Sequence, residues 1–215
     1  MRPAAALAVL GLALAVGAPT TWALTRPEAA AGVPVVEVLA PPPVPSSEPA
    51  VRPAVPTRPA AAAPSEQSPA PVRLAVPALG VDTAVDAVGV EADGRMTLPA
   101  DVDRVGWYHF GPVPGASGSA VLAGHVDDRD QGLGAMAPLR EADPGDEVVV
   151  TDDAGTATRW RVVSRELIEK QALPLDRLFA RDGPPRLTLL TCGGPFLPEF
   201  GSYRDNVVVV AEPVR

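Results

Sequence analysis

The chain has 215 residues and a formal net charge of −8, from 18 basic and 26 acidic residues. This length accommodates one domain with appendages, because a single core usually takes roughly 100 to 200 residues. Residues 72–215 hold 14 of the basic and 22 of the acidic residues, which argues against a nucleic-acid-binding surface. One cysteine excludes an intramolecular disulfide and a multi-cysteine metal site, and no cofactor is expected.

The amino terminus is an apolar segment. After Arg2 an almost unbroken apolar run extends to about Leu24, and no further charge occurs before Arg26. Because about 20 such residues cross a bilayer as a helix, residues 1–26 are predicted to anchor the chain in the cell membrane, with the remainder outside the cell. A cleaved signal peptide, which would leave a secreted protein, is the alternative. Both interpretations export the rest of the chain.

A proline-rich linker is predicted at residues 27–71. This segment contains 13 of the 27 prolines and no aromatic residue, so it is not expected to bury a core. Extended and partly polyproline II structure is predicted, at about 3 Å per residue. The segment is therefore interpreted as a disordered stalk between the anchor and a folded domain.

Residues 72–215 have the pattern of a β-rich domain, with short apolar runs separated by Gly, Pro and Asp. An all-β, closed or nearly closed barrel with short helical turns is predicted. The runs at 186–191 and 206–211 are almost continuously apolar, as expected for strands buried on both faces. In chain order the candidate strands are Val72–Val76, Ala84–Val88, Met96–Leu98, Gly106–Phe110, Ser119–Gly124, Glu147–Thr151, Thr158–Ser164, Arg186–Thr191 and Asn206–Ala211. The candidate helical turns are Asp101–Arg104, Leu133–Arg140 and Leu175–Phe179.

Three of these strands are flanked by residues that can perform acyl transfer. His125 and Cys192 each follow a strand, and Arg204 precedes the last strand. Antiparallel pairing of the last two strands would make Cys192 and Arg204 neighbours. A thiol becomes a competent nucleophile when an imidazole or cation favours its thiolate, and a guanidinium can donate to the oxyanion of a tetrahedral intermediate. Gly193 and Gly194 leave the backbone open to close approach by a peptide.

The order of these motifs resembles that of the sortases, the transpeptidases that attach proteins to the bacterial cell envelope. Their signature is a His after a strand, a Thr-Leu-x-Thr-Cys segment and a downstream Arg. Here the same order is His125, then Thr188-Leu189-Leu190-Thr191-Cys192, then Arg204. The resemblance covers essentially all of 72–215 and is greatest to class F sortases of actinobacteria. The other segments that carry it are 73–82, 105–108, 118–125 and 192–196.

This resemblance implies an eight-stranded sortase-type barrel and a two-step reaction. Cys192 would attack the carbonyl after Thr in a Leu-Pro-x-Thr-Gly-like sorting signal, at the carboxyl end of surface proteins, and form a thioester. An amine acceptor of the cell envelope, or water, would then take the acyl group. His125 is implied as general acid and base, and Arg204 as the group that holds the substrate carbonyl and oxyanion. The residues expected to contact substrate are Thr191, Gly193, Gly194 and the segment 165–185.

Two other functions fit parts of the pattern. A peptidoglycan L,D-transpeptidase also uses His, Cys and Arg, but its Arg comes two residues after the Cys, where this chain has Gly194. A noncatalytic surface-binding module on a stalk would lack a thiol that reacts with substrate-like electrophiles.

Arg204 also fits a surface ion pair with its neighbour Asp205. The acidic run at 127–130 lacks the alternation and the closing Glu of an EF-hand calcium loop, so no metal site is predicted.

Overall fold

The computed structural model of the protein describes residues 29–41 and 69–214. The strands within these ranges are β1 (Ala30–Gly32), β2 (Pro71–Val76), β3 (Val81–Val88), β4 (Val105–Tyr108), β5 (Ser119–Ala123), β6 (Asp127–Asp128), β7 (Gly132–Leu133), β8 (Glu147–Asp152), β9 (Ala157–Glu169), β10 (Arg186–Leu197) and β11 (Ser202–Pro213). Two α-helical turns are present there, α1 (Val35–Val38) and α2 (Leu175–Leu178). Short 3-10 turns occupy Pro77–Leu79, Ala137–Glu141 and Lys170–Ala172. The anchor predicted at 1–26 lies outside the described residues, among which no helix is long and apolar enough to cross a membrane.

Eight of the strands close into a barrel. Their order is β9-β11-β10-β5-β4-β3-β2-β8, and β8 pairs in turn with β9. Closure is possible because β9 is 13 residues long: its first part, from Ala157 to Arg161, pairs with β8, while the rest pairs mainly with β11. The predicted all-β, closed eight-stranded barrel is confirmed.

The two faces of β10 and β11 are buried in different cores. Leu187 and Leu189 point into the barrel, where all eight strands contribute apolar side chains around Trp160. Leu190 and Val208 point outward into a second core, together with apolar residues of β5 and of the two α-helical turns. The prediction that these two strands are buried on both faces is therefore confirmed, and the outer core explains why their sequences do not alternate.

Residues 29–41, here called the amino-terminal strap, pack on the barrel rather than forming part of a stalk. β1 pairs antiparallel with β9 between Ala30–Gly32 and Ser164–Glu166. Val35 is 0% exposed in the outer core, and its N–H donates to Glu166 Oε2 at 3.1 Å. The prediction for this part of 27–71 differs from the structure because a short segment can complete a core that the barrel supplies. Residues 42–68 of the predicted stalk lie outside the described ranges.

Other differences concern the lengths of elements. Met96–Leu98 is not a strand and forms one bridge, between Val90 and Met96, because Met96 and Leu98 pack on the outer core instead of joining the sheet. β10 and β11 continue past their apolar runs into a hairpin that contains a register shift between Gly193 and Phe196. Of the predicted helical turns, 175–179 forms α2, 133–140 forms the 3-10 turn at Ala137–Glu141, and 101–104 is non-helical.

Candidate active site

Cys192 lies inside β10, directly opposite Asn206 of β11. The predicted position of Cys192 at the end of its strand is wrong, because the backbone pairing of β10 continues beyond it to Leu197. The thiol is free and partly exposed. Cys192 lines two cavities, one on the outer face of the sheet and one at the mouth of the barrel. Its side chain is on the same face of the sheet as that of its cross-strand partner Asn206, which lines only the cavity on the outer face.

The first cavity has a volume of about 750 Å³ and contains both Cys192 and His125. Most of its other lining side chains are apolar, among them Leu98, Leu173 and Phe179. Four residues of the segment 165–185, which the sequence analysis assigned to substrate contact, line it: Lys170, Leu173, Leu175 and Phe179. The cavity thus combines a thiol, an imidazole and an apolar floor, as expected for a site that binds an apolar peptide segment next to a nucleophile.

His125 follows β5 by two residues, and its ring is oriented by the loop that precedes β4. Its Nε2 lies 3.1 Å from the carbonyl oxygen of Pro99. A carbonyl only accepts hydrogen bonds, so Nε2 carries the proton, and Nδ1 is the ring atom that can accept a proton in the neutral imidazole. A general base that acts through Nδ1 requires this tautomer, in which Nε2 carries the proton.

Two hydrogen bonds hold the histidine segment to the cysteine strand. The Gly124 N–H donates to the carbonyl of Leu190 at 3.1 Å, and the Thr191 hydroxyl donates to the carbonyl of Gly124 at 2.9 Å. Both bonds join the residue before His125 to residues just before Cys192. Thr191, which the sequence predicts to contact substrate, is 4% exposed and lines both cavities. Because its hydroxyl is bonded to Gly124, it fixes β10 relative to the segment that carries His125.

Arg204 lies on β11, two residues before the partner of Cys192, but its side chain does not line either cavity. Its Nε and Nη2 donate to the two carboxylate oxygens of Asp205 at 2.7 and 3.0 Å, and Glu169 lies 3.7 Å from Nε. The hydrogen bonds and charge of Asp205 raise the pKa of Arg204. The ion pair weighed in the sequence analysis is therefore present, although Asp205 is 1% exposed rather than on the surface.

Gly193 and Gly194 have structural reasons to be glycine. A Cβ at Gly193 would crowd Leu167 and Val207, which face the barrel interior. Gly194 has φ +73°, and a Cβ there would overlap the carboxylate of Asp205. Both glycines line the second cavity. Access of a peptide, predicted from the sequence as the reason for these glycines, is therefore accompanied by a structural reason, the buried carboxylate of Asp205.

The second cavity, of about 250 Å³, lies at the barrel mouth beneath the strap residue Ala29. Asp127 and Tyr203 line it, and the Tyr203 hydroxyl donates to Asp127 Oδ2. This bond, together with desolvation and the nearby charges of Asp127 and Cys192, raises the pKa of Tyr203 to about 12. No pattern in the sequence singled out this pair, because its members are 76 residues apart.

Comparison with known proteins agrees with this geometry. The sequence model of the Sortase domain family matches residues 74–214. Among solved structures, the chain is similar to sortase A of Listeria monocytogenes, with 21% identity and a TM-score of 0.51 over 67% of this chain and 86% of that chain. It is also similar to sortase C-1 of Actinomyces oris, with 20% identity and a TM-score of 0.50 over 67% and 73% of the two chains.

A sortase D5 transpeptidase of Clostridium perfringens is similar at 17% identity, with a TM-score of 0.51 over 68% of this chain and 79% of that chain. At such identities the structural likeness establishes the fold. The comparison with curated proteins gave no match. Because the family match extends over most of the chain and a cysteine stands in the cavity of the matching barrel, the chain belongs to the sortase family of cysteine transpeptidases.

Proposed function

We propose that this sortase is an exported, membrane-tethered enzyme of class F type. Its substrates are surface proteins with a Leu-Pro-x-Thr-Gly-like sorting signal, and its acceptor is an amine of the cell envelope, or water. The observation that supports this most directly is that Cys192 and His125 share the first cavity, whose apolar lining suits the Leu and Pro of such a signal. The class assignment rests on the sequence resemblance over 72–215, and the membrane location on the apolar run at 1–26.

In the first step His125 Nδ1 takes the proton of the Cys192 thiol, and the thiolate attacks the carbonyl carbon of the signal's Thr. The tetrahedral intermediate collapses when the C–N bond to Gly breaks and the imidazolium returns its proton to the leaving amine. A thioester remains on Cys192. In the second step an amine or water attacks the thioester, the C–S bond breaks and the thiol is regenerated.

Arg204 is proposed to stabilise the oxyanion in both steps. Its two bonds to Asp205 use the Nε–Nη2 side of the guanidinium, and within 29–41 and 69–214 no residue accepts a hydrogen bond from Nη1. The side chain is 49% exposed, so this nitrogen is open to a carbonyl of a substrate that extends beyond the first cavity. Asp205 would then orient the guanidinium instead of competing with the substrate, because it holds the opposite edge of the group.

A peptide survey tests the substrate assignment. The full chain is incubated with peptides that vary each position of Leu-Pro-x-Thr-Gly, in the presence of a small amine, and the products are identified by mass spectrometry. Cleavage between Thr and Gly, with the amine joined to Thr, is expected for peptides that keep Leu, Pro and Thr. Equal cleavage of peptides in which Leu and Pro are replaced by Ser would contradict the assignment of the apolar cavity.

A further inference from the structure

Three side chains that form hydrogen bonds lie in one row across the outer face of the sheet. β10 lies between β5 and β11, and Ala123 of β5 is level with Leu190 of β10. Two residues further along each chain, His125 comes level with Cys192. On the other edge of β10, Cys192 is directly opposite Asn206 of β11. The thiol therefore has an imidazole on its β5 side and a carboxamide on its β11 side, and neighbouring backbones in a sheet are about 4.8 Å apart.

All three members of this row line the first cavity. The next position in the row is Ile168 of β9, which packs against the outer core and ends the polar part. Arg204 precedes Asn206 by two residues on β11 but lines neither cavity. Among the described side chains that line the first cavity, Asn206 is the only carboxamide, and it stands beside the sulfur.

No contact within the described part of the chain accounts for an asparagine at position 206. Asn is depleted in strands, and Asn206 stands in a central strand, directly before the apolar run at 207–210. Its side chain is half-buried, and within 29–41 and 69–214 its carboxamide forms no hydrogen bond. A half-buried amide without a partner lowers stability. Its two side-chain N–H donors are therefore available to a substrate.

The position of the leaving amine decides where the oxyanion lies. In the proposed mechanism the tetrahedral carbon on Cys192 carries the oxyanion, the leaving nitrogen and the acyl chain. His125 protonates the leaving nitrogen, so this nitrogen faces the β5 side of the sulfur. The oxyanion is a different substituent of the same carbon and points away from His125, toward the β11 side. Asn206 is the residue on that side.

We propose that Asn206 is a further catalytic residue, whose carboxamide N–H donates a hydrogen bond to the oxyanion in both steps. This inference rests on the proposed function, because it assigns a second donor to the same tetrahedral intermediates. Arg204 supplies a charged donor from outside the first cavity, and Asn206 supplies a neutral donor inside it. An oxyanion accepts more than one hydrogen bond, so the two donors act together. Asn206 itself neither gains nor loses a proton.

A carboxamide beside Cys192 has one alternative role, which is donation to the thiolate sulfur. A reagent that consumes the thiolate without forming an oxyanion separates the two roles. Methyl methanethiosulfonate is such a reagent: the thiolate attacks its sulfur, an S–S bond forms and methanesulfinate leaves. Cleavage of a sorting-signal peptide uses the same thiolate but passes through an oxyanion.

Two measurements are made on the full chain and its variants, kcat and KM for a Leu-Pro-x-Thr-Gly peptide and the rate of modification of Cys192 by methyl methanethiosulfonate. Asn206→Leu removes the donor at similar size. Asn206→Asp keeps the shape of the side chain and replaces its N–H groups by a carboxylate oxygen. The matched control is Thr151→Val, which makes a half-buried polar residue of β8 apolar outside both cavities. Thermal unfolding verifies that each variant is folded.

Asn206→Leu is expected to lower kcat roughly 100-fold with KM unchanged, because the hydrogen bond is made to charge that develops only in the transition state. Its rate of modification by methyl methanethiosulfonate should equal that of the wild type. Asn206→Asp should lower kcat further, since an ionised carboxylate repels the oxyanion. Thr151→Val should change neither measurement.

Three results would overturn the inference. If the modification rate of Asn206→Leu falls together with kcat, Asn206 acts on the thiolate and not on the oxyanion. If KM rises while kcat is unchanged, Asn206 binds the peptide before the reaction. If neither variant at 206 changes kcat or KM, Asn206 takes no part in the reaction. Absence of peptide cleavage in a wild type that still reacts with methyl methanethiosulfonate would instead refute the proposed function, and this role of Asn206 with it.

Discussion

Gly194 and Asp205 occupy adjoining positions in the β10–β11 hairpin, and each constrains the other. The positive φ of Gly194 and the absence of a Cβ make room for the carboxylate of Asp205. That carboxylate is buried and holds Arg204 through two hydrogen bonds. The register shift after Gly193 is therefore the backbone feature that places the guanidinium.

Replacing Gly194 by Ala tests this constraint, with Gly201→Ala as the matched control in the same hairpin. Gly201 also has a positive φ, of +56°, but nothing lies within 4 Å of a Cβ built there. The control should cost only the conformational strain, about 1 to 2 kcal/mol in the free energy of unfolding. Gly194→Ala should cost more than the control by denaturant titration, and it should also reduce turnover because Asp205 is displaced. Equal losses in both variants would contradict the role of Asp205.

Arg204→Lys is expected to lower kcat/KM roughly 100- to 1000-fold, because lysine keeps the charge but cannot hold Asp205 and an oxyanion with opposite edges of one planar group. Arg204→Ala should be slower still. It should also destabilise the fold, since the carboxylate of Asp205 would be left buried without its cation.

Arg159→Lys is the matched control for the Arg204 variants. Arg159 pairs with Glu147 on the exposed surface of the barrel. Its replacement should change the unfolding free energy by under about 1 kcal/mol and leave turnover unchanged. If turnover of Arg204→Ala stays within about threefold of the wild type, Arg204 does not take part in the reaction.

The sequence was sufficient to predict the order of His125, Cys192 and Arg204 and the antiparallel pairing that brings the last two near each other. It was not sufficient to predict the burial of Asp205, because an acid next to an arginine has the pattern of a surface ion pair. Burial here depends on the bulge at Gly193–Gly194, which is a property of the pairing between two strands. For the same reason the contact between Asp127 and Tyr203, which are 76 residues apart, cannot be predicted from the sequence.

At the scale of elements, the amino-terminal strap covers apolar surface that the barrel alone would leave open. β1 occupies the edge of β9 opposite β11, at residues Ser164–Glu166, and α1 places Val35 in the outer core. Arg177 of α2 donates from Nη1 to the carbonyl of Val36 at 2.9 Å, so the strap also holds the helical turn that borders the first cavity. Composition could not predict this, because four residues of helix and three of strand give no periodic signal.

Val35→Ala should destabilise the protein by about 1 to 3 kcal/mol, because a fully buried side chain loses two methyl groups and leaves a cavity. Val36→Ala is the matched control: its side chain is 50% exposed, so the change should cost under about 0.5 kcal/mol. Thermal or denaturant unfolding of the two variants measures the difference. Identical unfolding curves would show that the strap is not docked in solution.

The Tyr203–Asp127 hydrogen bond joins β11 to the β6–β7 hairpin that follows His125. Because it raises the pKa of Tyr203 to about 12, protonated tyrosine is favoured in the folded state. The stabilisation is therefore fully present below the unfolded-state pKa of about 10 and is lost as the pH rises toward 12. Tyr203→Phe should cost about 1 kcal/mol at pH 8, and the cost should shrink above pH 10. A cost that does not vary with pH would contradict the bond to Asp127.

For the molecule as a whole, the strap changes the expected distance between barrel and membrane. The sequence alone predicts a stalk on the order of 100 Å between the anchor and the domain. The structure instead has the chain packed on the barrel from residue 29, three residues after the predicted anchor ends at 26. With the anchor retained, we expect the barrel to lie at the membrane surface, and residues 42–68 to connect two parts of one folded unit.

We propose above that Cys192 carries the acyl group of the sorting signal as a thioester beside the first cavity. The most direct test is intact-protein mass spectrometry of the full chain, mixed with a Leu-Pro-x-Thr-Gly peptide and quenched in acid within one turnover. We expect a mass increase equal to the acyl group that ends at Thr, in exchange for the thiol hydrogen, located at Cys192 by fragmentation and absent in Cys192→Ala. Cleavage of the peptide by Cys192→Ala, or an adduct at any other residue, would contradict it.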